Sequence, residues 1–255
     1  MEIIKQKEES YASRKIRELK PHALIILGWL VVVLSVILLT LFVASLQKYL
    51  WIAIVLGIAS FFISKEQLDS VVKEIENFRY GEEGEKAILK TLRDTMDSSY
   101  AYIPNYTIPN TKIGDVDGLL IGPKGIVILE IKNWSGVFRI SGSDVYRRIK
   151  RDIFKLYCKS PFKQIVQQEK YLEKFLNEKG IDVRTVPVIV FTERGKIYAF
   201  SGQTGVYITE QNKLANHLFK LPPIPDWSVE FSNKIIAALG LENQNNSSSS
   251  ANGRY

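Results

Sequence analysis

Two aspartates one position apart, followed by a glutamate and a lysine one position apart, bracket a short apolar stretch: Asp115-Val116-Asp117-Gly118, then Glu130-Ile131-Lys132. Gathered carboxylates bind a hard cation such as Mg²⁺ through oxygen, and an ammonium beside them steadies the charge that builds on a phosphoryl group under attack. The chemistry such a set offers is metal-assisted hydrolysis of a phosphodiester. Material for several other chemistries is missing. Cys158 is the only cysteine, which rules out an intramolecular disulfide and a cysteine-rich zinc site. His22 and His217 are the only histidines, which leaves little for a Ser-His-Asp triad or for catalysis by histidine pairs.

Strand periodicity is what would bring these groups together. Side chains alternate faces, so Asp115, Asp117, Leu119 and Ile121 share one face of a first strand, and Ile126, Ile128, Glu130 and Lys132 share one face of a second. The Val, Ile and Leu around them favour strand, and Gly122-Pro123-Lys124-Gly125 between the runs has turn composition. A symmetric hairpin about that turn pairs Ile121 with Ile126. Continued outward, the ladder sets Asp117 opposite Glu130 and Asp115 opposite Lys132, with Cβ atoms about 5 Å apart; a bulge would shift that register. Glu130 and Lys132 also interrupt an apolar run that reads as a central strand, and a buried charge needs a partner or a metal. An ion pair from Lys132 to Glu130 or to Asp115 satisfies the lysine yet leaves Asp117 and Glu130 crowded, for which a cation is the simplest remedy. Upstream, Glu85 shares a helical face with Ile88, Leu89 and Leu92, which aims a further carboxylate at the core. An acid in a first helical turn also has a purely structural use against the macrodipole.

The N-terminal part of the chain is of another kind. Residues 23–46 are uncharged and apolar, and after Gln47 and Lys48 a second apolar run covers residues 49–63. A helix needs about 20 apolar residues to cross the hydrocarbon core. The first run meets this directly; the second meets it if Lys48 snorkels to the interface and the helix reaches Ser64. The reading is a two-helix transmembrane hairpin over residues 23–64, surrounded by lipid bilayer. Lys5, Lys7, Arg14, Lys15, Arg17 and Lys20 precede it, and Lys65 and Lys73 follow it. The positive-inside rule then puts both a short charged lead-in, residues 1–22, and everything after the hairpin in the cytoplasm. Two alternatives stand beside this. A cleaved signal peptide would need a shorter apolar run and a small-residue cleavage site. A single span with an interfacial second segment would put the carboxylate set outside the cell.

Residues 65–80 place apolar positions at helical spacing among charges and predict an amphipathic connecting helix. Gly81-Glu82-Glu83-Gly84 punctuates it before a new helix over residues 85–95. Strands are expected at residues 100–108, in the hairpin, at 137–141, 145–149, 186–191 and 206–209. Helices are expected at 161–179, opened by Pro161, at 210–219 and at 228–239. This order predicts a mixed sheet flanked by helices. Residues 243–255, rich in Asn and Ser, predict a disordered tail. Part of the net charge of +7 is concentrated: Arg147, Arg148, Lys150, Arg151, Lys155, Lys159 and Lys163 are interleaved with aromatics. Such a stretch neutralises phosphates while rings stack on bases, and it serves equally well against anionic lipid headgroups.

Taken together, Gly81-Glu82-Glu83-Gly84-Glu85, Asp115-Val116-Asp117-Gly118, Gly122-Pro123-Lys124-Gly125, Glu130-Ile131-Lys132-Asn133 and Gly136 resemble the nuclease-related domain, NERD, a branch of the PD-(D/E)xK restriction-endonuclease-like superfamily. Ser160-Pro161-Phe162-Lys163-Gln164 resembles the helix start that follows in that family, with Ser160 where the family has Asn. The resemblance covers residues 81–176, within a domain expected over 81–242. It implies a restriction-endonuclease-like α/β fold, a mixed β-sheet flanked by helices, here preceded by the membrane hairpin. It implies that Asp117 and Glu130 ligate Mg²⁺, with Mn²⁺ as a substitute, and that Glu85 completes the metal site. Lys132 would orient the attacking water and steady phosphate charge, Gln164 would project toward the cleft, and Asp115 would lie outside the ligand set. Gln167 and Tyr171 offer a competing alignment with the Gln-x-x-x-Tyr helix of RecB-like nucleases. The implied function is a membrane-anchored, Mg²⁺-dependent nuclease acting on nucleic acid, expected to be DNA. The alternative is a non-catalytic module of this fold that tethers nucleic acid or a protein partner at the membrane.

Overall fold

The structure is a computed structural model describing residues 1–4, 11–111, 113–158, 161–202 and 205–241. Lys159, Ser160 and the tail expected at 243–255 lie outside the described residues. The chain divides into two compact units, Ala12–Tyr80 on the one hand and Met1–Tyr11 with Gly81–Tyr255 on the other.

The first of these units is helical. Helix α1, Tyr11–Phe42, is joined by a 3₁₀ helix at Ala44–Tyr49 to α2, Leu50–Thr95. Both helices are long and apolar enough to cross a membrane. Leu24, Val31, Leu34, Trp51, Val55 and Phe62 are all exposed on them, so the apolar residues run round the helices instead of gathering into one stripe, as in a segment solvated by lipid. Within the unit, Trp29 Nε1 donates to Ser60 Oγ at 2.8 Å, and a Cβ at Gly57 would come within 2.5 Å of Ile37 Cδ1.

Helix α2 does not break at Gly81-Glu82-Glu83-Gly84, contrary to the expected start of a new helix at residue 85. Interior glycine costs a helix about 1 kcal/mol, too little to interrupt it when neighbouring turns are well supported. Here Lys86 pairs with Glu82 at 2.9 Å across one turn, and Gly84 is buried where the helix meets the sheet domain.

The second unit is built from strands β1 (Glu2–Ile3), β2 (Ala101–Thr107), β3 (Asp115–Gly122), β4 (Gly125–Lys132), β5 (Gly136–Ser141), β6 (Asp144–Lys150), β7 (Ile153–Cys158), β8 (Thr185–Phe191), β9 (Gly195–Ser201) and β10 (Tyr207–Glu210). Helix α3 (Pro161–Glu178) precedes β8, and α4 (Leu214–Lys220) and α5 (Val229–Ala238) follow β10. The fold is mixed α/β, as expected, but with two mixed sheets instead of one. The larger has the order β1-β2-β3-β4-β8-β10 and the smaller β7-β6-β5-β9. Strands β7 and β9 were not expected: β7, Ile153-Phe154-Lys155-Leu156-Tyr157-Cys158, lies within the stretch read as a basic and aromatic surface, and β9, Gly195-Lys196-Ile197-Tyr198-Ala199-Phe200-Ser201, has no apolar run of the kind that marks a buried strand. The helix expected at 210–219 resolves into a 3₁₀ turn, Gln211–Lys213, and α4. The lead-in is not all solvated either, because β1 pairs in parallel with β2 and Ile4 is buried in the core.

The larger sheet buries both faces, and its residues sort between them with the period of two that a strand imposes. Ile103, Leu119, Ile121, Ile126, Ile128 and Ile189 pack on one side against Ile165, Leu172 and Leu176 of α3 and Ile235 of α5. Leu120, Val127, Leu129, Val186 and Val188 pack on the other against Ile88 and Leu92 of α2 and Leu214 and Leu218 of α4. Each such side chain contributes about 1.5–3 kcal/mol when fully buried, so the central strands are the rigid base on which the polar residues at their ends stand.

Candidate active site

The hairpin forms in the expected register, with Ile121 opposite Ile126 and Gly122 opposite Gly125, but only as far as Gly118 opposite Leu129. The predicted pairs Asp117–Glu130 and Asp115–Lys132 are not made. Beyond Gly118 the Asp117 carboxylate takes the place of a backbone acceptor: Ile131 N–H donates to Asp117 Oδ2 at 2.6 Å. Strand β4 meanwhile continues against β8, Glu130 facing Ile189 and Lys132 facing Phe191. Asp115 is held on the other side, opposite Thr107, whose hydroxyl donates to Asp115 Oδ1 at 2.6 Å. The β3–β4 ladder ends where the acidic groups stand, and Asp117, Glu130 and Lys132 are neighbours there.

Glu130 is only 1% exposed. Its Oε1 accepts from Lys132 Nζ, while Oε2 is buried with no hydrogen-bond partner among the described residues. Burial and then the nearby Glu130 carboxylate push the Asp117 carboxyl well above its ordinary range, against the opposing pull of Lys132 and the Ile131 N–H. Lys132 Nζ also lies 5.5 Å from the centre of the Trp134 ring.

Glu85 reaches this end of the sheet from α2. Gly84 allows the approach, since a Cβ there would come within 2.7 Å of Asn133 Cβ and 3.4 Å of Thr192 Cγ2. Those two residues are themselves joined, Thr192 Oγ1 donating to Asn133 Oδ1 at 2.6 Å. Asn105 Nδ2 donates to Glu85 Oε2 at 3.0 Å. Burial raises the Glu85 carboxyl above its ordinary value, the Asn105 bond opposes this, and Glu82 and Asp115 add to the rise. The Tyr102 hydroxyl is buried and unpartnered among the described residues, and burial, Glu85 and Asp117 together raise its pKa. Gly118 makes room for it, because a Cβ at that position would lie 2.4 Å from Tyr102 Oη.

Among the described residues no three His, Cys, Asp or Glu side chains stand close enough to hold an ion by themselves. The structure crowds Asp117 with Glu130, and Glu85, bonded to Asn105, stands near enough to raise the Asp117 carboxyl, but the three acids predicted as ligands do not form a cage among the described residues. Mg²⁺ needs no such cage, since it is commonly held through one or two carboxylates with water and substrate phosphate supplying the rest. The unpartnered Glu130 oxygen beside a carboxylate of raised pKa therefore fits a hard cation.

Gln164 is exposed on α3 and its side chain makes no hydrogen bond among the described residues. Gln167 and Tyr171 are exposed as well. The inward glutamine is Gln168, wholly buried, donating from Nε2 to the Asp115 carbonyl at 3.0 Å, with its Oε1 unpartnered among the described residues. Sequence reasoning missed it although it sits on the stripe of Ile165, Leu172 and Leu176, where the helical period alone would have found it.

The basic residues are distributed over two faces of the smaller sheet. Arg147 and Lys155 are cross-strand partners. The Arg147 guanidinium lies 5.4 Å from the Tyr157 ring, Tyr157 is edge-on to Trp134 at 5.1 Å, and Trp134 lies beneath Lys132. Arg148 faces the opposite way, over Phe154 at 5.8 Å and Tyr198 at 5.3 Å, in company with Arg139, which the sequence reading did not single out. Lys150 and Arg151 are exposed at the β6–β7 turn and Lys163 is exposed on α3.

No curated protein and no solved structure matches the chain. Residues 80–192 do match a family model, that of NERD, the nuclease-related domain. Glu85, Asp117, Glu130 and Lys132 all lie within the residues that resemble this nuclease-related family.

Proposed function

We propose that the chain is a membrane-anchored, Mg²⁺-dependent nuclease that hydrolyses phosphodiester bonds of nucleic acid, with DNA as its substrate. The observation that carries this reading is Glu130 Oε2, a buried carboxylate oxygen without a hydrogen-bond partner among the described residues, in the neighbourhood of Asp117 and Lys132. Leaving such an oxygen unpaired costs several kcal/mol, and a fold that retains it gains something else in return.

Asp117 and Glu130 would hold the cation, and Mn²⁺ would substitute. When bound there, Mg²⁺ would supply Lewis-acid polarisation of a phosphoryl oxygen and a lowered pKa for an attacking water. The protein's own groups do the rest. Lys132, paired with Glu130 and backed by Trp134, presents an ammonium to the charge that develops on the phosphoryl oxygens. The Ile131 N–H fixes Asp117, so the carboxylate does not have to be ordered when substrate arrives. Arg147 and Lys155 contact the phosphate backbone along the row of rings that leads to Lys132, and Tyr157 offers an exposed face for stacking.

Residues 23–64 anchor the enzyme. The pairing of β1 with β2 supports a hairpin that returns to its starting side, because residues 2–3 and the rest of the sheet must then share one compartment. The basic residues on both flanks of the hairpin support the cytoplasm as that compartment. Cleavage of plasmid DNA by the full chain in detergent, with Mg²⁺ and with EDTA, tests the reading; cutting in EDTA, or none in Mg²⁺, rejects it. The second reading, a tethering module, has the exposed Lys150, Arg151 and Lys163 in its favour, since these bind phosphate whether or not anything is cut.

A further inference from the structure

Asn105 is in the left-handed region, φ 52°, in the interior of strand β2. Strand interiors exclude that conformation, and a non-glycine residue enters it at a cost of about 1–3 kcal/mol unless the surroundings impose it. The position of this strain is specific. The β2–β3 ladder pairs Pro104 with Gly118 and Tyr106 with Val116, so the residue it skips over on β3 is Asp117. The effect of the left-handed backbone is to carry the Asn105 amide to Glu85 Oε2, 3.0 Å away on α2. Two polar interruptions therefore flank Asp117: the Ile131 N–H on the β4 side and the twisted Asn105 on the β2 side.

We propose that Asn105 is a positioning residue that holds Glu85 beside the Asp117–Glu130 pair, where it would reach the water of a bound cation, with the backbone of β2 strained to bring its amide there. This rests on the nuclease reading above. The chemistry is that of an outer hydrogen bond to an acid at a metal site, where losing the partner typically weakens metal binding about 10–100-fold. An extended residue at this position would continue the ladder, and the half-buried Asn105 side chain belongs to neither hydrophobic core, so what the amide does here is bond to Glu85.

The test is calorimetric titration of the full chain in detergent with Mn²⁺, together with thermal melts without metal. Asn105→Gly keeps a residue at ease with positive φ and removes only the amide. Asn105→Ala removes the amide and also disfavours the backbone. The expected result is that Asn105→Gly melts as the wild type does yet binds Mn²⁺ about 10–100-fold more weakly. Glu85→Gln should show a loss of similar size, and the double variant should lose no more than either single one. Asn105→Ala should show the same loss of affinity with a lower melting temperature. Wild-type Mn²⁺ affinity in Asn105→Gly, or losses that add in the double variant, would overturn the proposal while leaving the nuclease reading intact. A wild-type chain that neither binds Mn²⁺ nor cuts DNA would overturn both.

Discussion

Lys132 and Glu130 define the smallest scale at which the account can fail. Replacing Lys132 by Gln removes the ammonium and should lower the rate of DNA cleavage by at least about 10²-fold, the usual effect of losing one group that steadies transition-state charge. Glu130→Gln should be as damaging, because it removes a charge from the cation site; initial rates on plasmid DNA check both. Asp117 makes a different prediction. Its carboxyl is pushed up by burial and by Glu130, so the native protein binds that proton more readily than the unfolded chain does. Without metal, native stability contributed by this group therefore falls as pH rises from the unfolded value of about 3.9 through the higher folded one. Asp117→Asn removes the penalty. In EDTA the variant should melt above the wild type at pH 8, with the gap closing as the pH is brought down toward 4, and Mg²⁺ at pH 8 should raise the melting temperature of the wild type alone. A variant that melts at or below the wild type at pH 8 would show that Asp117 is not held at a cost.

At the scale of elements, the two glycines of α2 separate packing from propensity. A Cβ at Gly84 meets Asn133 at 2.7 Å, whereas one at Gly81 meets nothing within 4 Å. Gly84→Ala should therefore destabilise by about 1–3 kcal/mol through overpacking and impair cleavage by displacing Glu85. Gly81→Ala should be neutral or stabilise by up to about 1 kcal/mol. Chemical denaturation of the two variants distinguishes these outcomes. The hairpin of β3 and β4 was legible in sequence because a turn tetrad between two apolar runs fixes its register near Ile121 and Ile126. Its opening at Asp117 was not, since nothing local to the sequence shows that a side chain will replace a backbone acceptor. Gln168 lay within reach of the helical period and was passed over in favour of a motif alignment through Gln164. Asn105 carried no comparable signal: its left-handed backbone and its bond to Glu85 of α2 exist only in the folded domain. Strand β7 was hidden because it lies among basic and aromatic residues that read as a binding surface, and β9 because its largely exposed residues carry no buried apolar run.

At the scale of the whole molecule, the strand formed by residues 2–3 matters beyond its length. Ile4 is buried in the sheet domain although an apolar helix pair separates it from that domain in sequence. Ile4→Ala should destabilise the domain by about 2–5 kcal/mol, read as a lower melting temperature of the detergent-solubilised chain. Epitopes placed at the two ends of the chain should be reached by protease from the same side of sealed vesicles; protection of one and not the other would exclude the hairpin. The same packing bears on how activity is assayed. A fragment that begins after the hairpin lacks β1 and Ile4, leaving the edge of β2 unpaired, so the full chain is the proper subject.

The most direct measurement is cleavage of plasmid DNA by the full-length chain in detergent micelles, in Mg²⁺ and in EDTA, beside Lys132→Gln and Glu130→Gln. The account predicts Mg²⁺-dependent cutting that is lost in both variants while they continue to bind DNA. Wild-type cutting by either variant would contradict the assignment of the site. Binding without cutting by the wild-type chain would contradict the nuclease and leave a tethering module.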